Sequence, residues 1–120
     1  MIIEPKQIKQ IESELIKAEK ALQEGNAGQS RVCARRAAGL AIRGYLQQVK
    51  RTNPNESFLE LLQSFTNLND LPADIRKSAN NLSMQVSKSF GLPKGVDLIE
   101  DAQEIIKYLS NLTSKKEHED

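Results

Sequence analysis

The chain has 120 residues and a formal net charge of +1, with 28% charged residues, one cysteine and no tryptophan. This length suits one compact domain. No apolar run is long enough to span a bilayer, and the N-terminus lacks the basic and apolar regions of a signal peptide. A single cysteine excludes an internal disulfide framework and fits a reducing cytoplasm. We therefore expect a cytoplasmic protein with one helical domain over residues 1–113 and a disordered charged tail over residues 114–120.

The small net charge conceals a segregation of charge along the chain. Residues 1–25 carry a net charge of −1, residues 26–52 carry +6 without an acidic residue, and residues 53–120 carry −4. A local concentration of cations attracts phosphates or acidic partners even when the whole molecule is nearly neutral. The near-zero net charge therefore does not exclude a phosphate-bearing or acidic partner.

Apolar residues recur at helical spacing throughout the chain, and no long stretch alternates in the manner of a strand. The first helix is predicted from Pro5 to Glu24, where Gly25 supplies the left-handed conformation that ends a helix. The second helix follows a short turn and runs from about residue 29 to Arg51. Because the connection is short, we expect the two helices to form an antiparallel hairpin.

Three more helices are predicted after the hairpin. The third begins near Asn55, which could cap it, and the fourth runs from Pro72 to Phe90. The fifth begins after Asp97, another candidate cap, and directs one apolar face toward the core. Together these elements predict an all-α fold, an antiparallel up-and-down bundle of four to five helices.

The second helix has an unusually wide apolar face. It covers about half of the circumference or more, so we expect this helix to pack against several neighbours. Its small residues let another backbone approach closely, either within the chain or across a dimer interface. The packing or dimer candidates are Ala34, Ala37, Ala38, Ala41, Gly44 and Tyr45.

The remaining face of the second helix is basic. The candidates for binding an anion or a nucleic acid are Arg35, Arg36, Arg43 and Lys50. Positions 36, 43 and 50 are separated by about two helical turns each, so they share one side. Two interpretations stay open: a phosphate-binding surface, or a solvated face whose cations pair with acids of other helices. The acids considered for such pairing are Glu12, Glu19, Glu100, Asp101 and Glu104. We expect the double change Arg36→Glu with Arg43→Glu to leave the fold largely intact while abolishing anion binding.

The sequence offers little for catalysis. Its one histidine, His118, lies in the charged tail, whereas general acid–base mechanisms often need a positioned imidazole. Cys33 lies on the alanine-rich face, where we expect a buried, inert thiol. The chain contains no paired Glu-x-x-His motif, no Gly-x-Gly-x-x-Gly and no P-loop. We therefore expect no metal and no cofactor, and an enzymatic role is unsupported.

The segment from Ala18 to Leu46 resembles the HEPN family, small helical domains named for higher eukaryotes and prokaryotes and for nucleotide binding. In that family an alanine–leucine pair and a glycine turn end the first helix, and the second carries alanines, a basic residue and a leucine. The matching residues are Ala21, Leu22, Gly25, Ala34, Ala37, Ala38, Ala41, Arg43 and Leu46. Segments 57–62, 71–75 and 101–106 are similar to the third, fourth and last helices of the family.

The resemblance implies a HEPN-like fold, a tendency to form homodimers, and a role beside a nucleotidyltransferase-like or other partner. Catalytic members cleave RNA without a metal, using an arginine followed after a few variable residues by a histidine. This sequence lacks that arrangement, and Ser57 stands about where many members have a histidine.

Three functional hypotheses follow from the residues and the resemblance together. The first is a non-catalytic, dimeric module that binds a partner protein, a nucleotide or RNA. The second is an RNA-cleaving ribonuclease or toxin–antitoxin component of the same fold. The third is a helical adaptor that binds proteins and no nucleotide.

Overall fold

The structure is a computed structural model that describes residues 5–48, 56–68, 70–83 and 97–118. Within these ranges it contains five helices and no strand: α1 (Pro5–Gln23), α2 (Ala27–Gln48), α3 (Phe58–Thr66), α4 (Ala73–Ser83) and α5 (Leu98–His118). The prediction of an all-α fold is confirmed. None of the described helices has the length and apolar character needed to cross a membrane.

The turn between α1 and α2 forms as its sequence predicts. Gly25 has φ of +80°, in the left-handed region that favours glycine, and the amide of Asn26 donates to the carbonyl of Ala21 over 2.8 Å. The side chain of Asn26 then accepts a hydrogen bond from the amide of Gln29 over 3.0 Å. Because Asn26 caps α2, the helix begins at Ala27, slightly earlier than predicted.

Two helix starts are set by side-chain caps. Ser57 caps α3: its Oγ accepts a hydrogen bond from the amide of Glu60 over 3.2 Å. The predicted cap, Asn55, is therefore wrong, and the Ser57-x-x-Glu60 spacing is the signal that identifies the start. Asp97 caps α5 as predicted, since its Oδ1 accepts from the amide of Glu100 over 3.1 Å.

The far end of α5 differs from the expected one. The helix continues to His118 and so includes most of the segment for which we predicted disorder. Lysine and glutamate have high helix propensity, and extending an existing helix costs much less than nucleating one.

Two predicted helix ends concern residues outside the described ranges. They are the end of the second helix at Arg51 and the end of the fourth helix at Phe90.

Helix α2 is central to the bundle. It contacts all four of the other helices, with α1 and α5 sharing its largest contacts and α3 and α4 completing the surroundings. The apolar face of α5 lies in the same core, where Ala102, Ile105 and Leu109 are buried. A helix with neighbours on several sides needs the wide apolar face that the sequence shows.

Candidate functional site

The small residues of α2 form the centre of the core. Ala34, Ala37, Ala38 and Ala41 are completely buried, Gly44 is buried, and Tyr45 is half-buried against the same cluster. Small side chains allow α1 and α5 to approach the axis of α2, and this packing occurs within one chain. The four alanines have no exposed surface, so a contact between two chains has to use another face of the molecule.

Helix α3 approaches α2 closely at Gly39. A Cβ atom built at Gly39 would lie 2.9 Å from the Cβ of Phe58, a separation that real Cβ atoms essentially never show. Position 39 therefore requires glycine for space: the ring of Phe58 occupies the volume that any side chain would need.

Arg43 stabilises the same contact between α2 and α3. Its Nη2 donates to the carbonyl of Glu56 over 3.0 Å, and its guanidinium carbon lies 4.8 Å from the centre of the Phe58 ring. This distance is within the range of a cation–π interaction. Arg43 therefore fixes the start of α3 against α2. Because its side chain is half-buried between two helices, we expect replacement of Arg43 to lower the stability of the fold.

Arg35 contacts the backbone of α4. Its Nε donates to the carbonyl of Leu82 over 2.8 Å, which links α2 to α4. Burial, followed by the nearby positive charge of Arg31, lowers the pKa of Arg35 from its usual value. An arginine nevertheless remains protonated at neutral pH.

The four predicted basic residues therefore have different environments. Arg36 is exposed on the surface of α2, whereas Arg35 and Arg43 are half-buried and bonded to backbone carbonyls. Lys50 lies outside the described residues. Arg31 was not selected from the sequence, although its position four residues before Arg35 places the two on one side of the helix.

Hydrogen bonds of this kind do not neutralise a cation. A carbonyl group is uncharged, so the bonds to Leu82 and Glu56 orient Arg35 and Arg43 without removing their positive charge. Helix α2 itself contains no acidic residue. Arg36 is exposed on this helix, so its positive charge is accessible to an anion in solution.

Three of the acids considered as partners of this basic face lie on α5. Asp101 faces α4, where its carboxylate accepts a hydrogen bond from Nδ2 of Asn81 over 3.2 Å. Burial raises the pKa of Asp101, while hydrogen bonds from Asn81 and Ser78 oppose that shift. Glu100 and Glu104 are exposed on α5.

The described residues contain little that suggests catalytic chemistry. Cys33 is completely buried, as predicted, and Nε2 of Gln29 lies 3.4 Å from its sulfur. Within the described ranges, no three histidine, cysteine, aspartate or glutamate side chains come together in a way that could hold a metal ion.

Comparison with known proteins gives one informative match. No protein-family model matches the chain, and no curated protein matches it by sequence. Among solved structures, the chain is similar to the crystal structure of an archaeal HEPN homologue, with a TM-score of 0.64 and 23% sequence identity. The match covers 89% of this chain and 94% of the archaeal one, and it confirms the fold that the sequence resemblance implies. The chain therefore has the fold of an HEPN protein.

Proposed function

We propose that this chain is a non-catalytic, dimeric binding module with the HEPN fold, and that it binds a phosphate-bearing ligand, a nucleotide or RNA, along α2. The observation that carries the proposal is the exposure of Arg36 on α2, a helix that contains no acidic residue. Arg43 lies seven residues further along, about two turns away on the same side of the helix.

Two features of the sequence favour binding over cleavage. The single histidine, His118, is the last residue of α5, and no arginine precedes it at the spacing that catalytic HEPN proteins use. Since Cys33 is buried, it is also a poor candidate for a nucleophile.

A nucleotidyltransferase-like protein is the partner that the family resemblance suggests for such a module.

Binding of labelled single-stranded RNA and of ATP, followed by fluorescence anisotropy and calorimetry, tests the proposal. We expect affinity to fall steeply between about 50 mM and 200 mM salt, because phosphate contacts release counterions. Arg36→Glu should weaken binding without changing the thermal unfolding temperature. Lys107→Glu on α5 is the matched control, since it makes the same change of charge at another exposed position.

The alternatives give different results in the same experiments. Absence of RNA and nucleotide binding at low salt would contradict the proposal, and a protein partner bound without salt dependence would favour the adaptor. Degradation of the RNA during incubation would instead favour the ribonuclease.

A further inference from the structure

Helix α1 has an outer face that α2 does not cover. The buried side of α1 packs in the core through Ile11 and Ala18, whereas Ile16 on the outer face is 65% exposed. A single exposed apolar residue is common on protein surfaces, so the meaning of this one depends on the side chains around it.

Ile16 forms part of a shallow groove on this face. Two rows of side chains with a spacing of four residues line the groove: Lys9, Ser13 and Lys17 in one row, and Glu12, Ile16 and Lys20 in the other. Its walls are largely apolar, because lysine side chains contribute aliphatic stems while their ammonium groups stay in water. Rows of this spacing form the ridges and grooves by which two helices pack.

The groove is positively charged. Three of its lining residues are lysines and one is a glutamate. The Nζ atom of Lys17 lies 3.7 Å from Oε1 of Glu14 on the same helix, which balances that charge. Within the described part of the chain, Lys9, Lys20 and Glu12 form no ion pair. The two lysines outweigh Glu12, so the groove keeps a net positive charge that is open to a partner.

We propose that this groove docks an amphipathic helix of a partner protein whose polar residues are acidic. An apolar side chain of that helix covers Ile16, and its carboxylates pair with Lys9 and Lys20. The two lysines are 11 residues apart, close to three helical turns, so they lie nearly in line on either side of Ile16. A helix with an apolar residue between acidic ones complements this order of groups.

The composition of the groove favours a protein helix over other occupants. Base stacking by a single-stranded nucleic acid uses aromatic side chains, and none lines the groove. An amphipathic helix binds a membrane through its apolar face, and that face of α1 is packed in the core. A second copy of the chain presents the same positive groove, so like charges would face each other.

The docking surface goes beyond the phosphate binding proposed for α2 and does not depend on it. The groove residues belong to α1, whereas Arg36 belongs to α2. Arg36→Glu should therefore weaken RNA binding and leave the affinity for an acidic helix unchanged. Failure of one proposal can thus be distinguished from failure of the other.

Titration of the isotope-labelled full chain with a synthetic peptide, followed by nuclear magnetic resonance, tests the docking. The probe is an amphipathic helix of about 20 residues, with leucines on one face and glutamates beside them. A second peptide carries lysine in place of every glutamate. The acidic peptide should shift the amide signals of residues 9–20, and the basic peptide should leave them unchanged.

Reversal of two lysines tests the contribution of charge. Lys9→Glu with Lys20→Glu should raise the dissociation constant of the acidic peptide by about tenfold or more, because two attractive pairs become repulsive. The same double variant should lose the salt dependence of binding. Lys77→Glu with Lys107→Glu is the matched control, since it makes the same change of net charge at exposed positions of α4 and α5. The control should bind the peptide nearly as the native chain does.

Replacement of Ile16 tests the apolar contribution. Ile16→Gln should raise the dissociation constant of the acidic peptide by about tenfold, because less apolar surface leaves water on binding. Salt dependence should persist, since the lysines are unaltered. Helix content by circular dichroism should also be unchanged, because Ile16 is exposed in the chain alone.

Three results would overturn the docking surface. They are absence of acidic-peptide binding at low salt, equal binding of the acidic and basic peptides, and equal affinity of the native chain and both groove variants. Polyuridylate RNA and phosphatidylserine vesicles are measured on the same proteins. If either bound through Lys9 and Lys20 while the acidic peptide did not bind, the groove would be a nucleic-acid or membrane surface instead.

Discussion

The ring of Phe58 lies directly on the backbone of Gly39, so that α3 rests on α2 at a point without a side chain. The guanidinium of Arg43 covers the same ring, 4.8 Å from its centre, and also donates to the carbonyl of Glu56. Gly39 and Arg43 thus both contact Phe58 at the start of α3, while Leu61, Leu62 and Phe65 bury the rest of that helix in the core.

Gly39→Ala should destabilise the protein through this contact. The added methyl group would meet Phe58 at a separation that requires α3 to move, and overpacking of this kind costs about 1–3 kcal/mol. Gly28→Ala is the matched control: a Cβ atom there would meet only Oδ1 of Asn26, at 3.9 Å. Since alanine favours helix over glycine, the control should be neutral or stabilising by up to about 1 kcal/mol. Urea unfolding of both variants measures the difference, and equal stabilities would contradict the close contact.

Arg43 and Arg36 should respond differently to replacement by alanine. Arg43→Ala loses the hydrogen bond to Glu56 and the contact with the Phe58 ring, and should lower the free energy of unfolding by about 1–2 kcal/mol. Arg36→Ala alters an exposed side chain and should stay within about 0.5 kcal/mol of the native chain. If the two variants were equally stable in thermal and chemical unfolding, Arg43 would have no structural role.

Ala38→Leu should damage the core. Ala38 is completely buried in the centre of α2, and the larger side chain would force α2 away from its neighbours at a cost of about 1–3 kcal/mol. Ala27→Leu makes the same change at an exposed position of the same helix and should be nearly neutral. Unaltered stability of Ala38→Leu by urea unfolding would mean that the core is loosely packed at this point.

The stability of the chain should depend on pH through Asp101. Its folded pKa is raised above 3.8, the ordinary value, so the folded state holds its proton more strongly than the unfolded state does. As pH rises from 3.8 through the folded pKa, the ionised carboxylate therefore makes the fold less stable. Asp101→Asn removes that charge and keeps a side-chain oxygen that can accept from Asn81.

The predicted direction of this pH dependence can be tested by measuring the unfolding of the native chain and of Asp101→Asn at acidic and neutral pH. The stability of the variant relative to the native chain should increase as pH rises through the folded pKa and then become constant. A variant that is less stable at neutral pH than at acidic pH, relative to the native chain, would show that the hydrogen bonds of the carboxylate outweigh its burial.

The sequence predicts the helices well because their signals are local. The turn at Gly25 and the cap at Asp97 depend on backbone conformation and on groups three residues away, so they can be identified from the chain itself. The start of α3 has an equally local signal in Ser57-x-x-Glu60, and the choice of Asn55 missed it. Burial of Cys33 follows likewise from its place on the wide apolar face of α2.

The sequence by itself determined that α2 packs against several neighbours and that it contains no acidic residue, since both properties follow from residue type and helical spacing. The tertiary structure decided what each arginine does. Arg43 donates to a carbonyl 13 positions along the chain, and Arg35 donates to one 47 positions along. Both acceptors are backbone groups, so no residue type in the sequence identifies them. Every residue carries a backbone carbonyl, so only the packing of α3 and α4 on α2 determines which of them an arginine can reach.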